Sequence, residues 1–292
     1  MSTLEETIEI GVDGERIAGT FVTPGTLIPG VLFVHGWGGS QEQYRSRARE
    51  VAELGCVCLT FDLRGHAQTR TQFETVSRAQ NLEDVVTAYD TLVKRRHVDP
   101  GAIAVVGSSY GGYLAAILTS MRKVRWLALR APALYIDSGW KSPKLQLHKD
   151  QDLRTYRQRL VLASENRALK AMQAFEGDVM LIESECDAII PRAVLTSYRE
   201  AAIHARSLTY RCLGGADHGL TGERAQKNYT KVLETWLKEM VQGSRRSPAS
   251  ASAEAPEPVP QASQTPSESP DPQVEAAEGA NAAREPAAEP RA

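Results

Sequence analysis

Cysteine is scarce in this 292-residue chain, with four residues at Cys56, Cys58, Cys186 and Cys212 and no Cys-x-x-Cys pair. So few, so irregularly spaced, they exclude a disulfide-stapled scaffold and fit reduced thiols in a reducing compartment. Cys56 and Cys58 lie two apart in the apolar run Gly55-Cys-Val-Cys-Leu-Thr-Phe61, which puts both on one face of a strand. They read as buried packing residues, with half of a metal site as the alternative. Long apolar runs are missing as well, and nothing approaches the ~20 residues that a membrane helix needs. The start, Met1-Ser-Thr-Leu-Glu-Glu6, has neither the basic residues nor the apolar core of an export signal. The expectation is a soluble, cytoplasmic protein without a membrane partner. Charge of one sign is also missing, since 34 basic residues face 36 acidic ones. That balance gives no electrostatic case for a nucleic-acid partner.

The apolar residues are themselves unevenly distributed. From Ser244 to Ala292 there is no Leu, Ile, Met, Phe, Trp, Tyr or Cys, while nine of the fifteen prolines fall there. Such a segment cannot bury enough apolar surface to offset the entropy of ordering it, so residues 244–292 are expected to form a disordered Pro/Ala/Glu-rich tail, a spacer or an interaction segment. Residues 1–243 remain, a length ordinary for one large α/β domain.

Within that body, Thr7 to Val22 alternates in the β manner around the turn signal Val12-Asp-Gly-Glu15, which predicts an opening hairpin. Short apolar runs of strand length follow at Val31–Val34, Cys56–Phe61, Ile103–Val106, Trp126–Leu129, Val179–Ile182 and Ser207–Cys212. Helical periodicity separates most of them, clearest in the stripe Leu82, Val85, Val86, Tyr89, Leu92 and Val93. Strands alternating with helices predict an α/β fold with a mostly parallel sheet covered on both faces. The rhythm breaks from about 132 to 177, where no strand signal occurs. Two helices are expected there, over Leu153–Leu162 and Asn166–Phe175, forming a small cap. Tyr135, Trp140, Leu145, Leu147 and Tyr156 either line a pocket beneath it or pack it onto the body. From Asp137 to Glu176 eight Lys/Arg stand against five Asp/Glu. A solvated helix face accounts for that excess, and an anionic acyl or leaving group is the alternative.

The chemistry concentrates at four places. Ala104-Val-Val-Gly107-Ser-Ser109-Tyr-Gly111-Gly runs from an apolar strand through Gly-x-Ser-x-Gly into a helix. A sharp strand-to-helix turn exposes a serine Oγ, and small residues two positions to either side let the backbones approach closely enough to make it. Ser109 is in register, whereas Ser108 is not, because Val106 stands where glycine would be needed. A serine nucleophile needs a base and a group to orient that base. His218 follows the last strand in Leu213-Gly-Gly-Ala-Asp-His218-Gly, and Asp187 follows the Val179 strand in a loop. Asp187 is the favoured orienting acid, with Glu185, Asp137 and the adjacent Asp217 as rivals. Finally, His35-Gly-Trp-Gly-Gly-Ser40 follows the Val31–Val34 strand, and its glycines suit backbone N–H groups aimed at a developing oxyanion. The donors expected are the amides of Trp37 and Tyr110. A phosphate loop is not matched, since neither Gly-x-Gly-x-x-Gly nor Gly-Lys-Ser/Thr is present.

Together, His35-Gly-Trp-Gly-Gly, Asp62-Leu-Arg-Gly-His66, Gly107-Ser-Ser109-Tyr-Gly-Gly, Asp187 and His218 resemble the α/β-hydrolase superfamily over about residues 5–241. The elbow is similar to that of prolyl-oligopeptidase-type peptidases, whose large N-terminal propeller is absent. The size and short cap resemble small carboxylesterases and dienelactone-hydrolase-like enzymes, although the latter carry cysteine where Ser109 stands. Ala67 replaces a glycine frequent in relatives, a departure that touches a structural turn. The resemblance implies the α/β-hydrolase fold with about eight strands. It also implies a triad of Ser109, His218 and Asp187, an acyl-enzyme intermediate, a small-molecule ester as substrate, and no metal or organic cofactor. Thioester or short-peptide cleavage would use the same triad. A non-catalytic binding protein on this fold is the reading from another class, and the oligomeric state is open.

Overall fold

The computed structural model describes residues 4–23, 28–150 and 152–245. Two antiparallel strands open the chain, β1 (Leu4–Val12) and β2 (Glu15–Thr23), joined where Asp13 and Gly14 both take positive φ. This is the twist-matched two-residue hairpin that an Asp-Gly pair favours. Thereafter strands and helices alternate: β3 (Ile28–Val34), α1 (Glu42–Glu53), β4 (Val57–Phe61), α2 (Arg78–Val93), β5 (Val98–Ser108), α3 (Tyr110–Leu118) and β6 (Trp126–Arg130). The insertion between β6 and β7 (Asp178–Ser184) carries α4 (Lys144–Asp150), α5 (Leu153–Gln158) and α6 (Arg167–Gln173). The chain closes with α7 (Arg192–Ala201), β8 (Ser207–Leu213) and α8 (Glu223–Arg245).

All eight strands form one sheet in the order β1-β2-β4-β3-β5-β6-β7-β8, antiparallel from β1 to β4 and parallel from β4 onward. The central strands are apolar without interruption because both their faces are buried. Parity divides their side chains between two cores. Leu32, Val34, Leu59, Val105, Leu127, Leu129 and Leu181 face α2, α3, α7 and the insertion. Val31, Phe33, Cys58, Ala104, Val106, Ala128 and Met180 face α1 and α8. Cys56 and Cys58 are fully buried in the second core.

Four details differ from the sequence expectation. The insertion holds three helices instead of two, α4 being the addition. Its second helix ends at Gln158 instead of Leu162, since Arg159 turns extended (φ −104°, ψ 162°) and the Val161 amide bonds Ser197 Oγ on α7 at 3.0 Å. The stretch expected as a helix to Phe175 is helical over Arg167–Gln173, with Asn166 as its cap. Helix α8 continues to Arg245, past the boundary drawn after Gly243 from composition. The tail from 246 to 292 lies outside the described residues.

Because β3, β5, β6, β7 and β8 run parallel, their C-terminal ends share one edge of the sheet. The loops after them carry Trp37, Ser109, Asp187 and His218.

Candidate active site

The site is built outward from Ser109. Its backbone sits at φ +52°, ψ −117°, a left-handed conformation that costs a non-glycine residue about 1–3 kcal/mol. Three backbone hydrogen bonds hold it there. The Ser109 amide donates to Arg130 O at 2.9 Å, while Ser109 O accepts from Ala133 at 2.9 Å and from Tyr113 at 3.1 Å. The flanking glycines are needed sterically. A Cβ on Gly107 would lie 2.6 Å from Gly111 O, and one on Gly111 would collide with the carbonyl oxygens of Val34 and His35. Ser108 points the other way and accepts a hydrogen bond from Arg130 Nε.

Ser109 Oγ lies 3.0 Å from His218 Nε2, and His218 Nδ1 lies 2.7 Å from Asp187 Oδ2. With the carboxylate accepting at Nδ1, the ring proton belongs on that nitrogen, leaving Nε2 free to accept from the serine hydroxyl. Asp187 Oδ1 accepts from the amides of Ile189 and Ile190, both at 2.8 Å. Burial acts to raise the Asp187 carboxyl, but the hydrogen bonds from His218 and these amides outweigh it and hold the group below its ordinary value. The rival acids are engaged elsewhere: Asp217 with Thr221, Glu185 with the Gly215 amide, and Asp137 with Arg167.

The amides of Trp37 and Tyr110 have no acceptor among the described residues. Two buried histidines brace the loop that presents the first of them. His35 donates from Nδ1 to Gly36 O (2.8 Å) and accepts at Nε2 from the Leu63 amide (3.0 Å). His66 accepts at Nε2 from the Gly38 amide (3.0 Å), and its Nδ1 faces the carbonyls of Leu63 and Arg64. Burial pushes both imidazoles down to about 4, so at neutral pH each has one donating and one accepting nitrogen, as these contacts require. Asp62 holds the other end of the loop by accepting from the backbone and side chain of Gln41. The Asp62-Leu-Arg-Gly-His66 run is thus a scaffold for the loop after β3.

Sequence reasoning missed Arg130. It is 6% exposed at the end of β6 and donates to Ser108 Oγ (3.3 Å), Ser184 Oγ (3.1 Å) and His218 O (2.9 Å). One guanidinium therefore ties together the loops that carry Ser109, Asp187 and His218. The signal was an arginine closing an otherwise apolar strand, Trp126-Leu-Ala-Leu-Arg130. Beneath the insertion, Tyr135 and Leu147 are buried, while Trp140 and Tyr156 are half-buried and pack against the same core.

With this geometry established, comparison with known proteins assigns the class. A sequence profile of the Alpha/beta hydrolase family matches residues 31–277, and the chain belongs to that family. Among solved structures, it is similar to a putative dienelactone hydrolase from Klebsiella pneumoniae (TM-score 0.61, 17% identity, covering 81% of this chain and 99% of that one). It is also similar to Est1E from Butyrivibrio proteoclasticus, solved with ferulic acid bound (TM-score 0.64, 15% identity, 80% and 99% covered). Acylaminoacyl peptidase from Pyrococcus horikoshii matches over 82% of this chain and 42% of its own (TM-score 0.63, 14% identity). At these identities the likeness is one of fold. By sequence, 109 residues are 31% identical to protein phosphatase methylesterase 1 of Candida glabrata, a stretch that is 33% of this chain and 28% of that protein. The match thus spans little more than a quarter of the curated relative's length. No helix among the described residues is long and apolar enough to cross a membrane.

Proposed function

We propose that this hydrolase-family chain is a serine esterase that cleaves a carboxylic ester of a small molecule through an acyl-enzyme. The observation that carries the reading is the unbroken hydrogen-bonded relay from Ser109 Oγ through His218 to Asp187. As Oγ attacks the ester carbonyl carbon, His218 Nε2 takes its proton, and Asp187 stabilises the imidazolium that forms. The carbonyl oxygen becomes an oxyanion facing the amides of Trp37 and Tyr110. Each such donor is typically worth about 10²–10³ in rate. Collapse of the intermediate expels the alcohol, which receives the proton from His218. Water then attacks the acyl-enzyme by the same proton path, releasing the acid and restoring Ser109.

The β6–β7 insertion serves in this reading as a cap. The partial similarity to an enzyme named a methylesterase agrees with ester cleavage. A cytoplasmic setting agrees with the small number and irregular spacing of the cysteines. The test is intact-mass analysis after exposure to a fluorophosphonate. One adduct is expected on the native chain, absent from Ser109→Ala and formed far more slowly by His218→Ala. A folded native chain that takes up no adduct overturns the mechanism and favours a non-catalytic binding role.

A further inference from the structure

Between α1, α8 and the loop that carries His218 lies a cavity of about 150 Å³. Gln43, Gly219 and Gln226 form its exposed rim, and Arg47, Arg130 and Tyr229 belong to its buried floor. Arg47 is 8% exposed and Arg130 6%. Both guanidinium groups stand over the Tyr229 ring, with Cζ 4.9 Å and 5.8 Å from its centroid. The space is that of about five water molecules, and the rim opens it to solvent.

The two arginines meet only neutral acceptors. Arg47 donates from Nε to Thr230 Oγ1 (3.1 Å) and from Nη1 to Gln43 O (2.6 Å), while Arg130 donates to two serine hydroxyls and to His218 O. Arg47 Nη2 has no hydrogen-bond partner among the described residues. Burial raises the Tyr229 hydroxyl to about 12, so it stays protonated at neutral pH. Glu50 feels the charge of Arg47 and Asp217 that of Arg130, but neither forms an ion pair with it, and Asp217 is bonded to Thr221. A polar cavity with two buried guanidinium groups in its floor and no carboxylate against them favours a small anion over water.

The cavity also adjoins the relay. Arg130 Nη2 holds the His218 carbonyl at 2.9 Å, and Gly219, the next residue, is part of the rim. We propose that this cavity is a regulatory site for a small oxyanion, a free phosphate or a short carboxylate, held by Arg47 and Arg130, and that its occupancy fixes the position of His218. A guanidinium fork matches an oxyanion in shape and charge, and the volume suits phosphate or acetate while excluding a nucleotide. An anion bound there adds a charge-assisted bond to Arg130 in the arrangement that holds His218. It thereby favours that arrangement over any in which the loop has moved. The effect on turnover rests on the serine-esterase reading, whereas the binding does not.

Phosphate and acetate, each against chloride at equal ionic strength, test the binding by thermal unfolding of the full chain at pH 7. At least one oxyanion is expected to raise the melting temperature along a saturating curve, by about 3–6 °C at about ten times its Kd, and chloride should not. Which of the two acts separates a phosphate from a carboxylate ligand. General salt effects on apolar burial do not saturate, so the shape of the curve distinguishes them from binding. Arg47→Met removes a donor from the floor, and Gln226→Glu sets a carboxylate at the exposed rim; each is expected to raise Kd about tenfold or more. Gln226 lies on the surface, so its variant decides alone if Arg47→Met does not fold. No saturating response to either oxyanion, or an unchanged Kd in either folded variant, overturns the site and leaves a cavity that holds water only. The link to His218 is read as the rate of fluorophosphonate adduct formation on the native chain, which should rise along the same curve. A saturating melting response with an unchanged adduct rate overturns that link. A saturating response on a chain that takes up no adduct upholds the anion site and removes the esterase, and an adduct without a saturating response does the reverse.

Discussion

The sheet edge and the insertion above it use the same device to different ends. In both, buried arginines donate to backbone carbonyls: Arg130 to His218 at the edge, Arg78 to Ile136 and Ser138 and Arg157 to Leu134 in the insertion. At the edge every ionisable group of the relay has its partner, and the histidines around it are held neutral. In the insertion, by contrast, the buried Arg78 Nε and Arg157 Nη2 have no hydrogen-bond partner among the described residues. The contrast separates a region in which the polar groups are paired from one in which buried donors are left over.

Asp187→Asn should open the widest gap between the two regions. It preserves shape but favours the wrong His218 tautomer, and kcat is expected to fall about 10⁴-fold in a stopped ester assay, with little change in the urea midpoint. The next effect belongs to the neutral histidines. The gap between about 4 for buried His35 and its ordinary 6.5 corresponds to about 3 kcal/mol. Since the depressed value favours the neutral form in the folded state, that stability is complete above pH 6.5 and is lost as pH falls toward 4. Urea unfolding followed from pH 7.5 to 4.5 should show a flatter decline in His35→Gln than in the native chain, and equal slopes would remove this role.

Arg130 supplies a finer test. Arg130→Met frees the His218 carbonyl, and kcat is expected to drop about 10²-fold with KM nearly constant, the effect of a misplacement near 1 Å. Arg130→Lys, or added guanidinium on the methionine variant, should restore part of the loss, which a purely structural defect would not permit. The smallest effect is expected in the insertion's own framework. Asn166 caps α6 and donates to Tyr135 O at 2.8 Å, so Asn166→Ala should cost about 1–2 kcal/mol of stability while kcat stays within about twofold. A large loss of kcat there would mean that the two regions are not separable.

What could be read beforehand follows the same division. Ser109, Asp187 and His218 are legible because each follows a strand whose apolar run is plain, and parallel strands deliver their ends to one edge. The choice among Asp187, Glu185, Asp137 and Asp217 was not settled by spacing, because it depends on which backbone amides and donor side chains each carboxylate meets. Helix α4 was illegible for a local reason. Its apolar residues Leu145 and Leu147 are two apart, a strand-like spacing, and only packing of Leu147 and Lys144 beneath the insertion makes the segment helical. Arg130 was invisible as a site neighbour, since nothing in its surrounding sequence says where a long cationic side chain ends.

The glycine at position 111 acts as a mechanical stop. Helix α3 rests on the end of β3 there with no room for a single carbon, so the spacing between Ser109 and the loop that bears Trp37 is fixed by repulsion. Repulsive contacts do not soften with salt, acidity or warming as hydrogen bonds do. The alignment of His218, which depends on bonds from Arg130 and Asp187, has no such stop. On heating, the imidazole should drift before the elbow does, so that on the proposed esterase mechanism turnover is lost while Ser109 still stands where the fold put it.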